Sequence, residues 1–178
     1  MTDAALIDQL GIPHRATAAY RMLFAMGFAA LPLARQGLRH TNATVRYRCC
    51  KFLDHYLVPD VLPDLVALLD DPHPRVRVAT LHALACDRCK EGACRPEEGN
   101  LLPKALRILK EDRAPHVRAM AIEVVRQYAH TNLVAEAALV ESRSHDPSTM
   151  VRKKAGWYAP GGTIHRRTAP RPARVKRS

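Results

Sequence analysis

The chain is expected to be all-α, a right-handed α-solenoid (superhelix) of about four to five stacked helix pairs. Three observations predict this. A Val-Arg pair opens an apolar helical segment four times, at Val45-Arg46, Val76-Arg77, Val117-Arg118 and Val151-Arg152, at intervals of 31, 41 and 34 residues. An Asp stands five residues before the Val in three copies (Asp71, Asp112 and Asp146), with His40 in its place in the first. The composition is 47% hydrophobic but only 5% aromatic, which suits a core of Leu, Val and Ala where helices pack closely.

The elements follow in order. Residues 3–28 are expected to form an atypical helix pair that covers the exposed core of the first repeat, as the terminal unit of such an array must. Leu31-Pro32, Leu62-Pro63 and Leu102-Pro103 then mark first-helix starts, because a Pro in the first turn loses no intrahelical hydrogen bond and presets φ. Pro63 to Leu69 and Pro103 to Leu109 read as short amphipathic helices. The helix before Asp146 has no Leu-Pro start. Each second helix keeps a small residue four positions after its Val (Cys49, Thr80, Ala121, Ala155), with large apolar residues at seven or eight. That is helical spacing with a close-packing notch. Residues 1–160 are thus assigned to one repeat domain.

The blocks Leu62-Pro63, Asp70-Asp71-Pro72, Val76-Arg77-Ala79 and Leu81-Ala83-Leu84, with fainter copies around Val45, Val117 and Val151, resemble the HEAT-repeat family. The resemblance is strongest to the bacterial HEAT-like repeats of the phycobilisome-lyase type and spans roughly residues 30–157. It implies that Asp71, Arg77, Asp112, Arg118, Asp146 and Arg152 form a hydrogen-bonded ladder between repeats, so these residues are scaffold. It also implies that one face of the second helices is the concave, partner-holding side. Helical spacing places Arg48, Lys51 and His55, then Ala79, His82 and Cys86, then Met120, Glu123 and Gln127, then Lys154 and Trp157 on that face. This stripe is basic at both ends and mixed in the middle, whereas a groove following a phosphate backbone wants cations throughout.

Two departures from the period draw attention. The longest interval contains Cys86 to Gly99, an inserted loop reading C-x2-C-x4-C over Cys86, Cys89 and Cys94. His82 lies one helical turn before Cys86, so the four residues have the spacing of a structural zinc site. Inert reduced thiols and a redox-active pair fit the same residues. Cys49 and Cys50 are separate, the former in the packing notch. The odd total of five cysteines argues against a disulfide framework.

The second departure is the C-terminus, where residues 161–178 are expected to be a disordered basic tail. The formal charge is +11, and six of the cations lie in this segment without an acid. Trp157, the only Trp, stands at its start beside Lys153 and Lys154, with Arg166, Arg167, Arg171 and Arg174 beyond. Trp157 either covers the last repeat or anchors a partner beside this basic segment.

These features point to a non-catalytic interaction scaffold that binds another protein through its helical surface and basic tail. The alternative is nucleic-acid binding through Arg48, Lys51, the C-terminal cations and Trp157. A lyase or DNA-glycosylase of HEAT-like type is a lesser alternative, since the stripe offers a single acid, Glu123, and the sequence lacks a phosphate loop, a zincin motif and a nucleophile elbow. No cofactor is required beyond the zinc that the Cys loop could hold. The longest apolar stretch, Met22 to Ala34, is too short to span a membrane. Asp3 and Asp8, with no basic flank, do not resemble a secretory signal, and the cytoplasm is the expected location.

Overall fold

The computed structural model describes residues 3–85 and 96–170, which contain helices and connecting turns. The helices are α1 (Asp3–Gln9), α2 (Pro13–Ala25), α3 (Leu31–Gly37), α4 (Ala43–His55), α5 (Leu62–Ala67), α6 (Pro74–Ala85), α7 (Glu98–Glu111), α8 (Pro115–Val125), α9 (Leu133–His145), α10 (Thr149–Tyr158) and α11 (Thr163–Thr168). The chain divides into two compact units, Met1–Lys104 and Ala105–Ser178, with the division inside α7. No single described helix is long and apolar enough to cross a membrane.

In the first unit α3 pairs with α4 and α5 with α6, and α4 packs along α6. Val45 and Val76 are the third residues of α4 and α6, and both are fully buried. The second unit repeats the register, with Val117 and Val151 third in α8 and α10 and equally buried. All four notch residues, Cys49, Thr80, Ala121 and Ala155, are fully buried as well. In the first copy the notch is completed from the opposite side by Gly37, where an added Cβ would penetrate Cys49 Sγ and press on Ile7 at 3.4 Å.

The starts of α3 and α5 fall at Leu31-Pro32 and Leu62-Pro63 as the sequence predicts. The start of α9 is set by Asn132, whose side chain accepts from the N–H groups of Val134 (2.9 Å) and Ala135 (3.2 Å).

Leu102-Pro103 is a correction. Helix α7 begins at Glu98 and carries Pro103 inside it, so the loop expected to run to Gly99 ends sooner. An interior Pro removes one bond and costs about 3 kcal/mol. The extra turn buries Leu101 and Leu102 almost completely, and each such side chain contributes about 1.5–3 kcal/mol. Burial therefore outweighs the lost bond.

The tail is a second correction. Residues 163–168, expected to be disordered, form α11, which packs on α10. Its attachment uses little apolar surface. Gly161 makes the turn at φ +78, and a Cβ on Gly162 would collide with the carbonyls of Gly156 and Trp157. His165 stacks on His130 with ring centroids 4.3 Å apart, and Thr168 Oγ1 lies 3.0 Å from His130 Nε2. Arg171 and Arg174, like Cys86, Cys89 and Cys94, lie outside the described residues.

Replacing Gly37 by Ala should destabilise the chain by about 1–3 kcal/mol through overpacking, with recovery when Cys49 is also shortened to Ala. Urea unfolding measures both. A Gly37→Ala loss below about 0.5 kcal/mol, the size of an ordinary surface change, would show that the notch is not tightly filled.

Candidate interaction surface

The ladder aspartates lie in the loops between helices and the arginines in the first turns of the second helices, and their geometry shows why they are scaffold. Arg46 donates from Nε and Nη2 to the two carboxylate oxygens of Asp71 at 2.6 and 2.9 Å. Its Nη1 donates to the carbonyls of His40 (2.8 Å) and Thr41 (2.9 Å) in its own loop. Arg118 does the same with Asp146, at 2.7 and 2.8 Å, and with the Asp112 carbonyl at 2.7 Å. Arg77 Nη1 reaches the Asp71 carbonyl at 2.7 Å, and Arg152 Nη1 reaches that of Asp146 at 2.6 Å.

Each Asp has a further task. Asp71, Asp112 and Asp146 accept the N–H two residues ahead, from His73, Ala114 and Ser148, at 2.8, 2.9 and 2.8 Å. These are Asx turns that lead into the second helices. One guanidinium thus ties its own loop shut while its forked donors grip the next repeat's turn.

His40 departs from the Asp pattern without breaking the turn. Its Nδ1 accepts the Asn42 N–H at 2.9 Å, the same bond two residues ahead, and Asn42 then caps α4 through Thr44 N. With Nδ1 accepting, the ring proton is on Nε2, which donates to Asp8 of α1 at 3.2 Å. Where later copies set an Arg against an Asp, the first sets an acid against a His.

Burial pushes the Asp146 carboxyl up, but hydrogen bonds from Arg118 and the Ser148 N–H outweigh it and hold it below the usual range. Arg46 and Arg118 are held more basic than usual, first by their hydrogen bonds to Asp71 and Asp146.

The second-helix face carries different residues in the two units. In the first, Lys51 and His55 are exposed and Arg48 half-buried, its Nε enclosed without a hydrogen-bond acceptor. Tyr47 lies under the Arg75 guanidinium, with Cζ 4.0 Å from the ring centroid, and Lys51 Nζ is 6.0 Å from the same centroid. His55 packs edge-on against Phe24 of α2 at 5.1 Å. His82 pairs through Nε2 with the buried Asp54 at 3.2 Å. The Tyr20 hydroxyl is pushed up to about 12, mainly by burial, then by Tyr47 and Asp54, against an opposing effect of Arg48.

In the second unit Glu123 accepts from Lys154 at 2.7 Å and from Arg126 at 2.5 Å. Burial pushes its carboxyl up, and these two cations bring it below the ordinary Glu range. Lys154 is therefore committed internally, while Lys153 and Trp157 stay exposed, the latter at 41%. Arg126 also lies 5.3 Å from the Tyr158 ring centroid. Arg166 donates from Nη1 to the Gly161 carbonyl, and Arg167 is exposed on α11.

The proposed zinc ligands cannot be assembled here, since only His82 of the four is described. Among the described residues no group of three or more His, Cys, Asp or Glu is placed to hold a metal. Cys49 and Cys50 are buried, and burial pushes both thiols up, Cys50 to about 12, which leaves them unreactive. The Tyr47–Arg75 contact and the His130–His165 pair have no counterpart in the repeat pattern. Their only sequence sign is an aromatic or His side chain beside a cation-rich segment.

Loops tied by Arg–Asp pairs, with a periodic second helix, define an armadillo-type α-solenoid. Residues 31–97 match the family model for HEAT repeats. A designed armadillo repeat protein, solved in complex with the peptide (KR)4, matches at a TM-score of 0.59 and 18% identity, over 86% of this chain and 79% of that one. No curated protein matches. The likeness to HEAT repeats covers residues 31–97, and the fold match extends over most of the chain.

Arg118→Ala strands a largely buried carboxylate and should cost about 3 kcal/mol, against about 0.5 kcal/mol or less for the exposed Arg113→Ala; equal losses would refute the ladder. The Arg118 contribution should be constant above the ordinary Asp range near about pH 4 and vanish as pH falls through the lowered Asp146 value. Burial, then the neighbouring His130, hold His165 less basic than usual despite Glu136. The unfolded chain then binds this proton more readily, so α11 docking is undiminished above about pH 6.5 and weakens as pH falls through the lowered value. An NMR titration midpoint for His165 at or above about 6.5 would contradict this.

Proposed function

We propose that the chain is a non-catalytic interaction module that holds another protein on the second-helix face of its repeats, with the basic C-terminal segment as an auxiliary contact. The observation that carries this is a separation of roles. The repeat's own charged pairs are spent on the loops, as Arg46–Asp71 and Arg118–Asp146 show, while Lys51, His55, Lys153 and Trp157 remain exposed. The designed armadillo neighbour, which shares the fold, is recorded with a peptide. Helix-pair arrays present extended surfaces suited to such partners. Arg166 and Arg167, followed by Arg171 and Arg174, supply charge for a second, salt-sensitive contact.

A photo-crosslinking residue at position 51 tests this directly against one at Glu141, which is exposed on α9. In lysate of the source organism, position 51 should give discrete protein adducts that survive nuclease treatment, and position 141 should give few. A chain ending at Pro170 should keep these adducts at reduced yield. Equal labelling from both positions, or adducts that disappear with nuclease, would overturn the proposal.

A further inference from the structure

The residues from Gln9 to Leu53 contain no Asp or Glu, yet they include Arg15, Arg21, Arg35, Arg39, Arg46, Arg48 and Lys51. Acids from later repeats neutralise part of this excess. Asp64 takes Arg35 Nε at 2.8 Å and Arg39 Nη2 at 3.1 Å, and Asp71 takes Arg46. Arg48 and Lys51 of α4, and Arg75 of α6, have no ion-pair partner among the described residues; Lys51 and Arg75 flank the Tyr47 ring, and Arg48 acts electrostatically on Tyr20. Asp54, which acts electrostatically on Tyr20, is buried and engaged by His82. The face is therefore cationic in its outward charge.

We infer that the face formed by Tyr47, Arg48, Lys51 and Arg75, with Tyr20 at its margin, binds an extended acidic segment of a protein partner. This rests on the interaction-module reading and adds the chemistry of the partner. Charge complementarity selects carboxylates. Arg48 Nε is enclosed and has no acceptor, so no acid of the scaffold offsets the charge of this guanidinium. The Tyr20 hydroxyl stays protonated and can donate alongside it. The thirteen residues of α4 run for about 20 Å, the reach of about six residues of extended chain.

Acidic polypeptide fits better than nucleic acid. Single strands are held by bases stacked on open aromatic faces, and the Tyr47 ring is already covered by Arg75. In the second unit Arg126 and Lys154 are drawn onto Glu123, so less cationic surface is left there for a phosphate backbone.

The test uses the full chain and a fluorescein-labelled octaglutamate peptide, followed by anisotropy at about 50 mM NaCl, where electrostatic contacts are weakly screened. Octalysine and a single-stranded oligonucleotide of eight nucleotides serve as competitors. Octaglutamate should bind, and the exposed pair Lys51→Glu/Arg75→Glu should weaken it by about tenfold or more. Lys110→Glu/Arg113→Glu, equal in charge change but on the second unit, should change it less than about twofold. Thermal melting of both variants confirms that they fold. No octaglutamate binding, equal loss in the two variants, or preferential binding of the oligonucleotide with the same Lys51/Arg75 dependence would overturn the proposal. If octaglutamate fails while position 51 still crosslinks to protein, only the acidic chemistry falls. Loss of both removes the interaction reading as well.

Discussion

The structure depends on an arginine that satisfies two loops at once. A guanidinium offers five donors in a fixed plane, and here the plane is shared between the carbonyls of one loop and the carboxylate of the next. Arg46 and Arg118 each engage both carboxylate oxygens and at least one carbonyl. The carboxylate simultaneously holds the turn into its own second helix. Because one ion pair fixes the turn, the helix start and the neighbouring loop, its loss propagates beyond the two charges. A lysine, with one point charge, could not replace it.

The ends of the array show the same constraint under different boundary conditions. In the first loop His40 meets the turn with a ring nitrogen while Asp8 of α1 meets the ring. At the other end, α11 lies against α10 through glycine-mediated backbone proximity and a pair of imidazoles. Both ends use histidine where interior repeats use carboxylate and guanidinium.

Much of the fold could be read from the chain because the period fixes core positions. Val45, Val76, Val117 and Val151, and the small residues four positions on, fall where a 3.6-residue repeat places them. The misplacements share one cause, which is that tertiary burial overrides local signals. Pro103 reads as a helix start, yet Leu101 and Leu102 gain more by extending the helix backwards than the proline costs. Thr163 to Thr168 reads as tail because it has little to bury, yet Gly162 allows the backbones to approach closely enough for a His–His contact. The proposed interaction face is half legible in the sequence. Spacing places Arg48, Lys51 and His55 together on α4, but the Arg75 contact with Tyr47 joins residues 28 apart, and no local pattern encodes it.

The repeat fixes where a side chain sits and leaves its chemistry to the residues opposite. Lys51 and Lys154 illustrate this, since each is an early lysine on a second helix, six and three residues after the repeat valine. Lys154 meets Glu123 and is neutralised within the scaffold. Lys51 meets Tyr47, a ring whose quadrupole favours a cation without cancelling its charge. The decisive difference is thus the presence of an acid on the neighbouring helix, and from Gln9 to Leu53 none exists. Charge left uncancelled by a scaffold that cancels it elsewhere is free to act on a partner, and it resides on α4 and the adjoining edge of α6.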